Sequence, residues 1–181
     1  MSTPFIECDP TEHITELVHD CMKCGAKYGH SAVGVGFKNK PKVFMVGMNP
    51  HVGDPHKFVL GKGITELFRR LRDLDFSSYY FDNVIKCQMP LGVKSDLSHA
   101  HKCQWYLMEQ IRFITPQNIL LFGVAPALWL DVAFRKFHQT DPVQGIPTFS
   151  APHFSSIYYY NDEAEVEKYY KRLKILLEEL K

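Results

Sequence analysis

The chain has 181 residues, with 21 Lys and Arg against 20 Asp and Glu, which gives a formal net charge of +1 when the histidines are neutral. This length suits one domain over residues 1–181, and a near-neutral charge excludes attraction of nucleic acid by the molecule as a whole, so that such binding needs local basic groups. No apolar run approaches the roughly 20 residues that span a bilayer, and the N-terminal segment lacks the apolar core of a signal peptide. We therefore expect an intracellular, cytoplasmic protein that does not associate with membranes.

Apolar residues at helical spacing predict five helices along the chain. In chain order their sequences are TEHITELVHDCM, ITELFRRLRDL, SHAHKCQWYLMEQIRFI, VAPALWLDVAFRKF and EAEVEKYYKRLKILLEEL. Thr11 and Ser98 are the expected N-caps of the first and third helices, and Pro116 is expected to end the third.

Four short apolar runs between these helices predict strands. Their sequences are PKVFMVG, YYFDNVIK (ending at Cys87), NILLFG and the start of IPTFSAPHFSS. The Gly-rich, basic segment GHSAVGVGFKNKP before the first strand is typical of a loop or a weak hairpin. Strands that alternate with helices indicate an α/β fold, here three α/β/α layers around a central, mostly parallel, four-stranded sheet.

Turn-forming and polar residues follow these strands. In open parallel sheets, ligands bind beyond the carboxyl ends of the strands. The segments of interest are therefore Gly47–Pro50, Asn83–Cys87 and SAPHFSS, and Gly123 ends the remaining strand. Asn49-Pro50 is also a common turn dipeptide, so the residues alone leave both a turn and a reaction centre open.

Four of the five cysteines occur at spacings that suit a metal centre. The CMKC segment brings the thiols of Cys21 and Cys24 within reach of one centre, and Cys87 and Cys103 complete a set of four. A disulfide scaffold is not expected in a reducing compartment. The residues alone leave zinc, an iron–sulfur cluster and inert buried thiols as alternatives.

The cysteines and the strand ends together resemble the uracil-DNA glycosylase superfamily, and most closely its iron–sulfur family 4. The family pattern is a CxxC, an N-V-V-K-C segment, a Cys in the next helix and P-x-x-I-L-x-x-G. The chain has CMKC, DNVIKC, HKCQWYLMEQI and PQNILLFG in that order, and the resemblance runs from about Cys21 to Leu180. It implies a [4Fe–4S] cluster, with zinc as the alternative, held by Cys21, Cys24, Cys87 and Cys103. Cys8 lies outside the pattern.

The reaction-centre motifs depart from family 4, which usually has G-E-x-P-G and HPS. The chain has GMNPH at 47–51 and HFSS at 153–156. GMNPH is similar to the GMNPG and GINPG of the single-strand-selective monofunctional and mismatch-specific families, in which the Asn positions the attacking water. The resemblance implies that role for Asn49, and it implies that His153 stabilises the negative charge developing on uracil O2.

The resemblance also implies a pocket for the base and a surface for DNA. The base pocket comprises Gly47, Met48, His51, Phe58 and Asn83. Phe58 is expected to stack on uracil, and a fixed Asn83 amide can pair with uracil N3–H and O4. His51 departs from the Gly common at its position, and our hypothesis is that it crowds the C5 edge and excludes thymine. The DNA contacts come from Lys62, Phe154, Ser155 and Ser156, with Phe154 as a wedge that fills the vacated stack.

The function that follows is a monofunctional uracil-DNA glycosylase of base excision repair, acting as a monomer on single- or double-stranded DNA that contains uracil. No Lys is placed like a Schiff-base nucleophile, so lyase activity is not expected. Three alternatives stay open. They are an inactive DNA- or protein-binding module, a glycosylase for hypoxanthine, xanthine or a 5-modified uracil, and an unrelated zinc-binding nucleotide-handling α/β protein.

Overall fold

The predicted apolar runs become the centre of one six-stranded sheet. The computed structural model describes residues 10–24, 34–50, 62–89, 94–160 and 162–180. Within these ranges the strands are β1 (Val35–Gly36), β2 (Val43–Gly47), β3 (Tyr79–Asn83), β4 (Asn118–Phe122), β5 (His138–Val143) and β6 (Ile146–Ala151). The helices are α1 (Pro10–His19), α2 (Lys62–Arg70), α3 (Leu97–Ile114), α4 (Val124–Trp129) and α5 (Glu163–Glu179), and a 3₁₀ helix spans Phe154–Tyr159.

The strands lie in the spatial order β1-β3-β2-β4-β6-β5. The neighbours β3, β2, β4 and β6 are parallel, whereas β1 and β5 add antiparallel pairs at the two edges. The α/β class and the parallel centre of the sheet are confirmed. The predicted number of four strands was wrong, because the two edge strands are short or mostly exposed and carry no continuous apolar signal.

Helices cover both faces of the sheet, as the α/β/α prediction requires. Alternate residues of β2 point to opposite faces: Val43 and Met45 pack with α2 and α5, and Phe44 and Val46 pack with α3 and α4. The central strands are buried on both faces, which explains why they appear as continuous apolar runs instead of alternating ones. A separate small cluster joins α1 to α3 through Ile14, Val18 and Tyr106.

The predicted helix VAPALWLDVAFRKF is only half helical. α4 ends at Trp129, and Asp131 and Phe137 adopt left-handed backbone angles, with φ of 57° and 58°. These angles interrupt helical geometry, and the chain then turns back along β6 as β5. Pro142 is tolerated in β5 because β5 is an edge strand.

The helix caps differ from the predicted ones. Thr11 lies inside α1, which begins at Pro10, a residue type suited to the first helical position. The N-cap of α3 is Asp96, which accepts the His99 backbone N–H, while the hydroxyl of Ser98 donates to the same carboxylate. α3 ends before Pro116 as predicted, with Thr115 as its left-handed C-cap. No helix in the described ranges combines the length and the apolar character needed to cross a bilayer.

Candidate active site

The four parallel strands end at one edge of the sheet, where the predicted reaction-centre residues follow them. Gly47 of β2 pairs with Asn83 of β3, and Phe122 of β4 pairs with Ala151 of β6. Asn49 therefore lies two residues beyond β2, and His153 lies two residues beyond β6, at the same edge. The strand register thus brings both predicted catalytic residues and the predicted recognition residue Asn83 to one side of the molecule.

Asn49 is held by hydrogen bonds at both ends of its side-chain amide. Its Oδ1 accepts a hydrogen bond from Ser95 Oγ at 3.2 Å, and its Nδ2 donates to the Pro50 carbonyl at 3.2 Å. The turn itself is fixed because Val84 N–H and Ile85 N–H donate to the carbonyls of Gly47 and Met48. Oδ1 keeps a second lone pair, so the oriented amide can still hold a water molecule. Ser95 was not anticipated, since a serine in a loop carries no sequence signal.

Gly47 allows the Asn83 side chain to approach the β2 backbone. A Cβ at position 47 would lie 2.5 Å from Asn83 Oδ1, closer than real side chains tolerate. Asn83 is 8% exposed, so its amide is nearly enclosed at the sheet edge. Glycine at position 47 is therefore required by the position of the Asn83 amide. Met48, the next residue, is 37% exposed and lies on the rim of the same edge.

His153 caps the 3₁₀ helix with one ring nitrogen. Its Nδ1 accepts the Ser155 backbone N–H at 3.1 Å and lies 2.6 Å from Ser155 Oγ. Because Nδ1 is the acceptor, the neutral ring carries its proton on Nε2, which is then the donor. Burial lowers the pKa of His153 from 6.5 to about 4, so the imidazole is neutral at neutral pH. The ring packs on that of Phe154, with centroids 4.2 Å apart, and a Cβ on Gly123 would lie 3.2 Å from the His153 Cβ.

The three residues after His153 differ in their surroundings. The Phe154 ring packs on Phe122 with centroids 5.2 Å apart, and a Cβ at Gly63 would lie 2.5 Å from it. The ring therefore fills a site between the sheet and α2 in this structure and does not project outward. Ser155 is engaged with His153, whereas Ser156 Oγ is buried and has no hydrogen-bond partner within the described part of the chain.

Three predicted site residues cannot be placed. His51 and Phe58 lie outside the described residues, and Lys62 is the first residue of α2 but its side chain is not described. Their roles remain predictions.

The four cysteines of the predicted centre come from three separate segments. Cys21 and Cys24 follow α1 and are half-buried, Cys87 lies beyond β3, and Cys103 is in α3, the last two being buried. The CMKC segment is held against α3 by Lys23, whose ammonium lies 4.5 Å from the Tyr106 ring centroid and 5.2 Å from that of Trp105.

The pKa of the Cys103 thiol depends on burial and on the other cysteines. Burial raises the pKa of the Cys103 thiol, a backbone hydrogen bond from Lys86 opposes this, and the thiols of Cys24 and Cys21 raise it further. Burial also raises the pKa of Tyr106, with further contributions from Cys21, Cys103 and Cys87. Gathering thiolates in a buried site is unfavourable without a cation, so the donor set fits a thiophilic metal group.

The positions of the four cysteines do not match the coordination of a single metal ion. No three His, Cys, Asp or Glu side chains in the described ranges are arranged around one metal position. A four-iron cluster gives each thiolate its own iron, so its ligands surround a wider volume than those of one ion.

A buried charged group beside Asn83 was also missed by sequence reasoning. Lys86 Nζ lies 2.6 Å from Asp82 Oδ2 and donates to Gln110 Oε1 at 2.5 Å. The sequence signal was only a Lys in the DNVIKC segment, where a lysine is ordinarily expected to be solvated.

Comparison with known proteins gives a consistent set of relatives. Residues 34–176 match the family model described as the Uracil DNA glycosylase superfamily. A type-4 uracil-DNA glycosylase of Pyrobaculum aerophilum is 29% identical over 141 residues, which cover 74% of this chain and 71% of that protein. Those of Sulfurisphaera tokodaii and Saccharolobus solfataricus are 30% and 27% identical over 64% of this chain. The matches span 55% and 56% of the length of these two relatives, which is less than two thirds.

Proposed function

This chain belongs to the uracil DNA glycosylase superfamily, and from that membership we propose that it is a monofunctional uracil-DNA glycosylase of base excision repair. The proposed reaction hydrolyses the N-glycosidic bond of uracil in DNA and leaves an abasic site. The observation that carries the proposal is the half-buried His153, whose Nδ1 accepts the Ser155 N–H and whose Nε2–H is therefore its available donor, at the sheet edge that also bears Asn49 and Asn83.

His153 has the protonation state that this reaction needs. As the glycosidic bond breaks, the sugar approaches an oxocarbenium ion and the departing uracil becomes an anion. A donor aimed at the developing charge in a buried site stabilises that transition state without reorganising. We assign this role to Nε2–H of the neutral imidazole, with uracil O2 as its acceptor.

Asn49 positions the water molecule that acts as the nucleophile. An amide is a poor base, but a bond that is mostly broken before attack requires only a water held beneath C1′. The hydrogen bonds from Ser95 and to the Pro50 carbonyl fix the amide orientation that such a water needs. A carboxylate in this position would add charge stabilisation, so the Asn should give a slower enzyme.

Asn83 supplies the selectivity for uracil. The base must leave the stack and enter a pocket before cleavage. A fixed amide accepts from uracil N3–H and donates to O4, whereas cytosine presents the reverse pattern and leaves buried polar groups unpaired. The burial of Asn83 and its tight fit against Gly47 support this assignment.

The remaining site residues complete the proposal. His51 excludes thymine, Phe58 stacks on the base, and Met48 lines the rim. The DNA contacts come from Lys62, Phe154, Ser155 and Ser156. For Phe154 to act as a wedge, its ring must leave its packing on Phe122. The proposed substrate implies action inside the cell, with the monomer as the active form.

Cys21, Cys24, Cys87 and Cys103 would hold the proposed [4Fe–4S] cluster, with zinc as the alternative. The bound group would supply a structural cross-link and no step of the hydrolysis. It would join the end of α1, the segment after β3 and α3. The segment after β3 follows directly on Asn83, so the cross-link would also restrict motion of the Asn83 backbone.

The test is incubation with labelled oligonucleotides that carry one uracil, followed by alkali, which cleaves the strand at an abasic site. Three substrates are compared: the single strand, the duplex with uracil opposite G and the duplex with uracil opposite A. We expect cleavage at uracil and none at cytosine or thymine in matched oligonucleotides. Asn49→Ala and His153→Ala should each lower the rate at least about a hundredfold. Absence of cleavage by the wild-type protein would contradict the enzyme, and DNA binding without cleavage would favour the binding module.

A further inference from the structure

Three polar side chains form a closed network inside the core behind the candidate site. Asp82 is 2% exposed, Lys86 1% and Gln110 0%. The Lys86 ammonium contacts Asp82 Oδ2 and Gln110 Oε1, at 2.6 and 2.5 Å. Gln110 turns its oxygen to the ammonium although its Nε2 then has no partner within the described ranges. The lysine therefore determines how this amide is oriented.

Such a network is not explained by stability. Removing two charges from water costs several kcal/mol per ion, and replacing a buried ion pair by apolar residues of similar volume is often neutral or stabilising. The surrounding residues already form an apolar core on this face of the sheet. The network therefore calls for a role in fixing a particular geometry.

The network fixes the geometry at the end of β3, the strand that carries Asn83. The other oxygen of the carboxylate, Asp82 Oδ1, accepts the backbone N–H of Asn83 at 2.6 Å. Asp82 thus holds Lys86 with one oxygen and the Asn83 peptide with the other. Gln110 lies on α3, seven residues after Cys103, so the helix that carries one cysteine also anchors the network.

We propose that Asp82, Lys86 and Gln110 are positioning residues that set the direction of the Asn83 amide toward uracil. Lys86 and Gln110 fix the Asp82 carboxylate, and the carboxylate fixes the peptide from which the Asn83 side chain projects. None of the three touches the base. This role rests on the proposed function, because it concerns recognition of uracil.

The test compares two uncharged double variants. Asp82→Asn/Lys86→Met keeps an oxygen that can accept the Asn83 N–H, whereas Asp82→Leu/Lys86→Met has none. We expect the leucine variant to excise uracil about tenfold more slowly in single turnover than the asparagine variant, with equal affinity for uracil-free DNA. Lys174→Met, which removes an ion pair with Asp73 that lies outside the core, is the control and should leave the rate unchanged.

A second measurement tests the hydrogen bond to the Asn83 N–H and does not depend on enzyme activity. Amide exchange measured by NMR should be slow at Asn83 in the wild type and the asparagine variant and fast in the leucine variant. If the leucine variant does not fold, Gln110→Met replaces it. This variant removes an unpartnered donor together with one acceptor of the Lys86 ammonium. It keeps the Asp82–Lys86 pair, so it should fold and should slow excision about threefold.

The outcomes separate the two proposals. Equal rates and equal Asn83 exchange in both double variants of an active enzyme would overturn the positioning role alone. Absence of excision by the wild type would overturn the proposed function and, with it, the role of Asn83. A melting temperature lowered equally in both variants, with rates that still differ, supports positioning over a general structural role.

Discussion

The ring of His153 shows how one local hydrogen bond sets the chemistry of a residue. By accepting the Ser155 N–H, Nδ1 leaves the proton on Nε2, and burial keeps the ring neutral. The sequence predicted His153 as the charge-stabilising residue but left its protonation state open. That state depends on how far the folded chain encloses the ring and on a contact with the first turn of the 3₁₀ helix, which the letters HFSS do not specify.

The stability of the protein should depend on pH through this residue. The pKa of His153 is about 4 in the folded chain against 6.5 as the ordinary value, so the unfolded chain binds the proton more readily. The contribution of neutral His153 to the free energy of unfolding is therefore fully present above pH 6.5 and is lost as the pH falls toward 4. Urea unfolding should show this loss in the wild type and a smaller one in His153→Gln. Equal losses in both proteins would contradict the assignment.

Gly47 gives a second prediction at the scale of one residue. Gly47→Ala places a Cβ 2.5 Å from Asn83 Oδ1 and must displace that amide. We expect the single-turnover rate to fall at least about tenfold while affinity for uracil-free DNA is kept. Gly145→Ala is the control: its Cβ meets open space at the opposite end of β6, so it should lower stability through its φ of 76° and leave excision unchanged.

At the scale of elements, the sequence predicted the four parallel strands and most of the helices, because continuous apolar runs and 3.6-residue periodicity mark buried elements. The errors fell between α4 and β6: residues 130–137 were assigned to a helix that ends at Trp129, and β5 was not predicted as a strand. Only one face of β5 is buried, at Thr140 and Val143, so its pattern lacks the apolar run of a central strand. The left-handed angle at Asp131 that ends α4 has no marker such as glycine.

Asp131 therefore offers a test of how α4 ends. It follows the C-cap Leu130 and has a φ of 57°, a conformation in which glycine is favoured. Asp131→Gly should raise the free energy of unfolding by about 1 kcal/mol, because the left-handed conformation is costly for a residue that carries a Cβ. Asp141→Gly, within β5, should lower it, because glycine weakens a strand. Urea midpoints measure both, and destabilisation by Asp131→Gly would contradict this account of the helix end.

At the scale of the whole molecule, the sheet edge collects residues that are far apart in the sequence. Parallel register predicted that Asn49, Asn83 and His153 would meet there. The network of Asp82, Lys86 and Gln110 was not predictable, because Gln110 joins the Asp82–Lys86 pair, and the pair becomes buried, only when α3 packs against the sheet. A lysine or glutamine in a sequence gives no sign that it is enclosed.

The proposed cysteine centre should matter to the molecule as a whole, since it would join three segments. We expect the anaerobically purified protein to be brown, and expect Cys103→Ser to lose the colour and lower the melting temperature by several degrees or more. Cys8→Ser, outside the predicted set, should do neither. A colourless wild type with one zinc per chain would replace the cluster by zinc, and a protein free of both metals would contradict the centre.

The small contact between α1 and α3 also bears on assembly. Ile14 and Val18 pack on Tyr106, which follows Cys103 by three residues in α3, and this contact holds the segment of Cys21 and Cys24 close to α3. We expect the contact to form before the four thiols can share one group. α3 in turn takes its place by packing on the sheet, whose neighbouring strands are distant along the chain. Long-range pairing of this kind forms slowly. We therefore expect the four thiols to take up the proposed group late, after the domain has folded.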